Sequence, residues 1–197
     1  MKKIALNLIK QKFSLNEKDI SIYLYGSRIY GTNKENSDYD YLIINKKINN
    51  QEIKHKIVNL HLYTEEHFQE ILNEHKIVAL EVYFYNNINN FIFNLDLQKL
   101  RKSISEKASN SWVKCKKKLT VEQGEYYIGI KSLFHSIRII EFGIQIAKYG
   151  EIKDYSSANY ILEKLNSQYW TWDEINEYFK PIYNKKMSEF RELAPKS

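Results

Sequence analysis

Ile20-Ser21-Ile22-Tyr23-Leu24-Tyr25-Gly26-Ser27-Arg28-Ile29-Tyr30-Gly31-Thr32, with Ser37-Asp38-Tyr39-Asp40-Tyr41 close behind, is the stretch from which the rest of this chain can be organised. Residues 20–25 are apolar, β-branched or aromatic, the composition of a short buried strand. The run stops at Gly26-Ser27, which presents backbone N–H groups and a hydroxyl with little side-chain bulk. Phosphate oxygens can approach such a turn closely. The Asp-x-Asp spacing within a second strand puts Asp38 and Asp40 on one face, about 7 Å apart along it. Two hard carboxylates so placed suit one or two Mg²⁺ ions. Such ions bridge a triphosphate and activate an attacking oxygen. Either half alone would read as a turn or a solvated strand end; strand, Gly-Ser, Asp-x-Asp and apolar strand in that order make the pattern specific.

Working outward, Ile4, Ala5, Leu8, Ile9 and Phe13 have helical spacing and predict a helix over residues 2–13. Residues 38–45 and 56–63 read as second and third strands. Thr64-Glu65-Glu66 is an oxygen cap with an acidic first turn, opening a helix to about residue 74. Residues 76–85 are apolar at nearly every position and fit a strand or a buried helix equally. Asn86 to Asn90 has the composition of a turn.

Beyond about residue 96 the pattern becomes helical. Residues 97–118 are basic and end in Lys114-Cys115-Lys116-Lys117-Lys118. In residues 122–149, Ile130, Leu133, Ile137, Ile140, Ile144 and Ala147 form one apolar seam. Gly150 is the natural stop. Residues 156–166 and 171–191 predict two more helices, the last opening on Thr171 and Glu174 at capping-box spacing. Pro181 should kink or split it. The expected fold is α+β: a small mixed β-sheet domain over 1–96, then a C-terminal helical bundle over 97–197.

The 197 residues are 43% hydrophobic and 27% charged, a globular balance. The formal charge of +6 leans toward a polyanionic partner such as nucleotide or nucleic acid. One cysteine, Cys115, precludes an intramolecular disulfide and fits a reducing cytoplasm. No apolar run approaches a membrane span, and residues 1–13 lack the apolar core and cleavage site of a signal peptide. No Cys/His cluster has zinc spacing.

Gly26-Ser27-Arg28-x-Tyr30-Gly31-Thr32 followed by Ser37-Asp38-Tyr39-Asp40-Tyr41 resembles the polymerase-beta-like nucleotidyltransferase superfamily. More narrowly it is similar to the predicted nucleotidyltransferases of RNA-repair pathways in phages and bacteria. Leu80-Glu81 and Lys131-x-x-x-His135-x-x-Arg138 share that likeness, which touches residues 20–150. The resemblance implies a nucleotidyltransferase domain followed by helices. It also implies Mg²⁺-dependent transfer of a nucleoside monophosphate from an NTP, ATP among them, to a hydroxyl, with an RNA end as acceptor and pyrophosphate as product. On it, Gly26, Ser27 and Arg28 hold the triphosphate, and Asp38 and Asp40 are the catalytic metal ligands.

The superfamily usually places a third carboxylate on the next strand. Here Asn59 stands there, and an amide can coordinate through its carbonyl but cannot act as a base. His61 shares that strand face and could serve as base or ligand, or be purely structural. Glu81 is another source of negative charge. Lys131, His135 and Arg138 step by four and three along one helix, forming a stripe suited to a triphosphate or an RNA backbone, or else a solvated face. His135 before Arg138 does not match the Arg-then-His order of the helical toxin nucleases. Lys114–Lys118 could follow RNA with Trp112 stacking nearby, or simply be solvated. Asn59 also leaves open an alternative: a catalytically weak or inactive fold that binds nucleotide or RNA as a regulator or antitoxin.

Overall fold

The computed structural model describes residues 1–13, 17–122 and 124–196. The chain divides into two compact units, Met1–Asn94 and Leu95–Ser197. In the first, α1 (Lys2–Phe13) and a 3₁₀ turn (Glu17–Asp19) precede β1 (Ile20–Tyr25) and the single helical turn α2 (Ser27–Tyr30). Then come β2 (Tyr39–Asn45), β3 (Gln51–His55), β4 (Val58–Thr64), α3 (Glu65–Asn73) and α4 (Ile77–Tyr85). The strands form one mixed sheet in the order β1-β2-β4-β3. β1 and β3 run antiparallel to their neighbours, while β2 and β4 run parallel.

Strand alternation sorts the sheet into two faces. Ile22, Tyr41, Ile43, Val58, Leu60 and Leu62 point to one side, where they close a core with Ala5 and Ile9 of α1. Leu42 and Ile44 point to the other and are buried; there α3 packs on β2 and β4, and α4 on β1. Thr64 caps α3 by accepting from the His67 N–H at 3.1 Å, as its sequence predicts. The ambiguous residues 76–85 are helical as α4, with Ile77, Ala79, Leu80, Glu81 and Val82 all buried. Burial on several sides explains why no amphipathic period marks this helix.

One strand is absent from the sequence reading. Residues 56–63 were expected as a lone third strand. The chain instead makes a hairpin, β3 to β4, turning at Lys56 with φ 52°. β3 is an edge strand exposed at four of its five positions. It is polar, as edges usually are, so it carries no apolar alternation to read.

The second unit is all helix: α5 (Leu97–Thr120), α6 (Tyr126–Tyr149), α7 (Asn159–Asn166) and α8 (Trp172–Leu193). α6 is its centre, packed on α5, α7 and α8. Ile130, Leu133, Ile137, Ile140 and Ile144 of the expected seam are buried while Ala147 is half-buried, and Ile139, Phe142 and Ile146 on the other sides are buried too. The helix is enclosed, not merely amphipathic. The capping box at Thr171 and Glu174 forms. Pro181 sits inside α8, which runs on unbroken past it, so of the kink or split expected there the split does not occur. No described helix is long and apolar enough to cross a membrane.

Gly143 marks the tightest approach to α6. A Cβ there would stand 2.9 Å from Ile104 Cγ2 and 3.0 Å from Phe190 Cε2. Both neighbours are fully buried and have little room to move. Overpacking costs about 1–3 kcal/mol, and helix propensity returns at most about 1 kcal/mol. Gly143→Ala is therefore expected to lower stability by about 1–2 kcal/mol in urea unfolding; an unchanged or raised midpoint would contradict this packing.

Candidate active site

The site is assembled by strand register. Tyr25 at the end of β1 pairs with Asp40, and Asp40 pairs across the parallel ladder with Asn59. Gly26 follows directly, at φ 79° and ψ −153°. This region is essentially reserved for glycine. A Cβ on Gly26 would lie 2.5 Å from Asp40 Oδ2. The missing side chain thus lets the turn pass against the carboxylate. One helical turn then reaches Gly31, also left-handed at φ 72°, and the Thr32 N–H closes it by donating to the Ser27 carbonyl at 3.0 Å.

Asp38 and Asp40 meet at Asn59. Its Nδ2 donates to Asp38 Oδ2 at 3.2 Å and to Asp40 Oδ1 at 3.0 Å. Only the amide nitrogen can face two carboxylates, since the carbonyl oxygen is an acceptor. The two carboxylate oxygens therefore converge on one hydrogen-bond donor. A spot bounded by two hard anionic oxygens suits a divalent cation such as Mg²⁺, so the residues present fit the ion. Among the described residues, no group of three His, Cys, Asp or Glu is placed to hold a metal.

The other sequence candidates fall in different surroundings. The Arg28 guanidinium lies 3.4 Å over the Tyr39 ring. It donates to the Ser37 carbonyl at 2.6 Å and the Asp38 carbonyl at 3.3 Å. Its reach is directed at the backbone that presents Asp38. His61 lies on the Asn59 face, 3.6 Å from Glu52 of β3 and edge-on to the Tyr25 ring at 5.7 Å. Burial, then the nearby Asp40 charge, raises the Tyr25 phenol far above its ordinary range and keeps it neutral. Glu81 is 3% exposed and accepts from the Tyr30 hydroxyl at 2.5 Å.

Lys131, His135 and Arg138 share one helix of the second unit but not one environment. Lys131 is exposed, its Nζ 5.2 Å over the Tyr127 ring. Arg138 is 5% exposed and donates to His135 Nδ1 at 2.6 Å. Burial first, then Arg138, Lys107 and Lys114, holds the His135 imidazole well below its usual range. His135 is therefore neutral, with Nδ1 as acceptor. Of the expected RNA-contact residues, Trp112 is buried against Trp172 and Tyr183. Lys117 and Lys118 pair with Glu122, and Lys118 also with Glu125. Burial pushes the Cys115 thiol up to about 12, leaving it unreactive.

Sequence reasoning missed the contacts that hold the site. Tyr30–Glu81 ties the Gly26–Thr32 turn to α4, and the Asn86 side chain donates to the Leu24 carbonyl at 3.2 Å. Each joins residues far apart in the chain, so no local pattern signals it. Arg28 over Tyr39 had a signal, an arginine close to an aromatic strand, but not one specific enough to be read.

Two outcomes follow. Gly26→Ala must adopt a conformation reserved for glycine and displace Asp40, so a stability loss of about 1–3 kcal/mol is expected; an unchanged urea midpoint would contradict the close approach. His135 is depressed in the folded protein, so the unfolded chain takes up its proton first. Stability should fall as pH drops below about 6.5, the ordinary histidine value. His135→Gln should flatten that limb between pH 6.5 and 5 in urea titrations, and an unaltered slope would refute a neutral buried imidazole.

Among curated proteins, none matches this sequence. The family model of the nucleotidyltransferase domain matches residues 3–115, which runs from near the start of α1 through the rest of the first unit and most of α5. That span is more than half the chain and includes Gly26, Asp38, Asp40 and Asn59. The aspartate pair beside a glycine turn therefore sits within a recognised nucleotide-transfer domain, and the chain belongs to the nucleotidyltransferase domain family.

Proposed function

We propose that this chain is a Mg²⁺-dependent enzyme that transfers a nucleoside monophosphate from an NTP to a hydroxyl, an RNA end being the expected acceptor. The observation that carries the reading is the convergence of Asp38 and Asp40 on a single donor beside Gly26. Asp38 and Asp40 would hold the cation, which when bound would offset phosphate charge and polarise the α-phosphorus. The Gly26-Ser27 turn offers its backbone N–H groups and the Ser27 hydroxyl to phosphate oxygens. Arg28 fixes the loop that presents Asp38. In the reaction the acceptor oxygen bonds to the α-phosphorus, the bond from that phosphorus to the β-phosphate oxygen breaks, and pyrophosphate leaves. The hydroxyl proton passes to a carboxylate oxygen of the pair or to water.

Lys131 supplies an exposed cation for polyanion binding in the second unit. Arg138 acts through His135, orienting the imidazole. The likeness to RNA-repair nucleotidyltransferases and the basic net charge support RNA as the acceptor class. Asn59 favours a second reading, a fold that binds nucleotide as a regulator without turnover, because an amide adds neither a base nor an anionic ligand.

Incubation with Mg²⁺, an RNA oligonucleotide and each α-labelled NTP is expected to give labelled RNA. Asp38→Ala and Asp40→Ala should reduce the label to background while keeping the wild-type circular dichroism. Undiminished transfer by both variants would overturn the assignment. Calorimetric NTP binding without transfer to any acceptor would select the regulator.

A further inference from the structure

We propose that Asn59 is a hydrogen-bond clamp on Asp38 and Asp40 that restricts this pair to a single divalent cation. The inference rests on the metal-site reading above and adds the number of ions and the residue that limits it.

Three observations lead there. The first is orientation. Asn59 presents Nδ2 to both carboxylates, so its carbonyl oxygen is at the opposite corner of the amide. To ligate a cation through Oδ1 the group must turn over and give up both bonds. Hydrogen bonds to charged acceptors are among the stronger ones in proteins, so the clamped arrangement resists that turn. The parallel register fixes Asn59 opposite Asp40 through the backbone, so the amide reaches out from directly beside that carboxylate.

The second observation is charge. Two carboxylates match one divalent cation. A second ion at the 3.5–4 Å separation typical of two-metal sites needs further anionic ligands. Among the described residues no third acid, histidine or cysteine joins the pair. Glu81 is buried and accepts the Tyr30 hydroxyl; Glu52 pairs with Lys54 at 3.3 Å on the edge strand. The third observation is Arg28, whose guanidinium binds the Ser37 and Asp38 carbonyls. A guanidinium bound to the backbone there supplies no anionic ligand, so this loop adds nothing that a second cation could use.

The clamp also sets how the one ion enters. The pair already shares a donor, so a cation competes with Nδ2 for the same oxygens. Asn59 therefore weakens metal binding, the reverse of what a carbonyl ligand would do.

The number of ions can be counted directly. Crystals of the full chain grown with Mn²⁺ and an NTP analogue carrying carbon at the α–β bridge should show one anomalous peak at the aspartates. Asn59→Asp should show two. Two peaks in the wild type would overturn the proposal. So would one peak in both proteins, since Asn59 would then not be the limiting residue. No peak at the aspartates would instead bring down the metal-site reading itself, and the proposal with it. If Asn59→Asp does not fold, Asn59→Ala decides by Mn²⁺ titration followed by electron paramagnetic resonance. Binding at least as tight as wild type supports a competing clamp, whereas a loss of tenfold or more would make Asn59 a ligand and refute it.

Discussion

Asp40 is confined from both sides. Gly26 leaves no space for even a methyl group at its Oδ2, and Asn59 holds its Oδ1 at 3.0 Å. Both constraints come from the backbone. β1 delivers the glycine because Tyr25 pairs with Asp40, and β4 delivers the amide because Asn59 pairs with Asp40. The carboxylate is thus placed by three adjacent strands, not by the flexibility of its own side chain. Such placement is what a site built on rigid elements provides.

The energetics of the row are close to balanced. Two oxygens bonded to one nitrogen at these distances lie at most about 6 Å apart, where unit charges repel by about 3 kcal/mol at an effective dielectric of 20. Two hydrogen bonds to charged acceptors contribute about 1.5–3 kcal/mol each. Asp38 is exposed and its bond to the amide faces solvent, so solvent screening and the amide together offset the repulsion and the pair can persist without a cation. An alanine at position 59 would leave that repulsion to solvent screening alone.

The sheet was largely readable because its buried strands alternate or run apolar: residues 20–25 were located to the residue, and His61 was placed on the face of Asn59. β3 was not, since an exposed edge strand has no hydrophobic period to betray it. α4 stayed ambiguous for the opposite reason, being buried on too many sides to be amphipathic. In the candidate site, the closeness of Gly26, Asp38 and Asp40 was legible through spacing along the strands. What spacing could not give was the direction of each charge. Arg28 is turned toward its own loop, and Arg138 toward His135. Those orientations depend on partners in space, such as the Tyr39 ring, that a linear pattern does not rank.

That redirection of charge changes how a triphosphate must be held in the first unit. A sequence count credits the turn with a free arginine. In the structure that guanidinium is stacked on Tyr39 and bonded to two carbonyls, so its pull on a phosphate would be indirect. The Gly26-Ser27 turn contributes N–H dipoles and one hydroxyl, which can orient phosphate oxygens but cannot neutralise several negative charges. The aspartates add two more of the same sign. Without a cation, triphosphate and carboxylates would repel at short range; a divalent ion, if held as proposed by Asp38 and Asp40, would offset that repulsion. Nucleotide and cation should therefore bind with strong positive coupling, and the site's affinity for either should depend on the other.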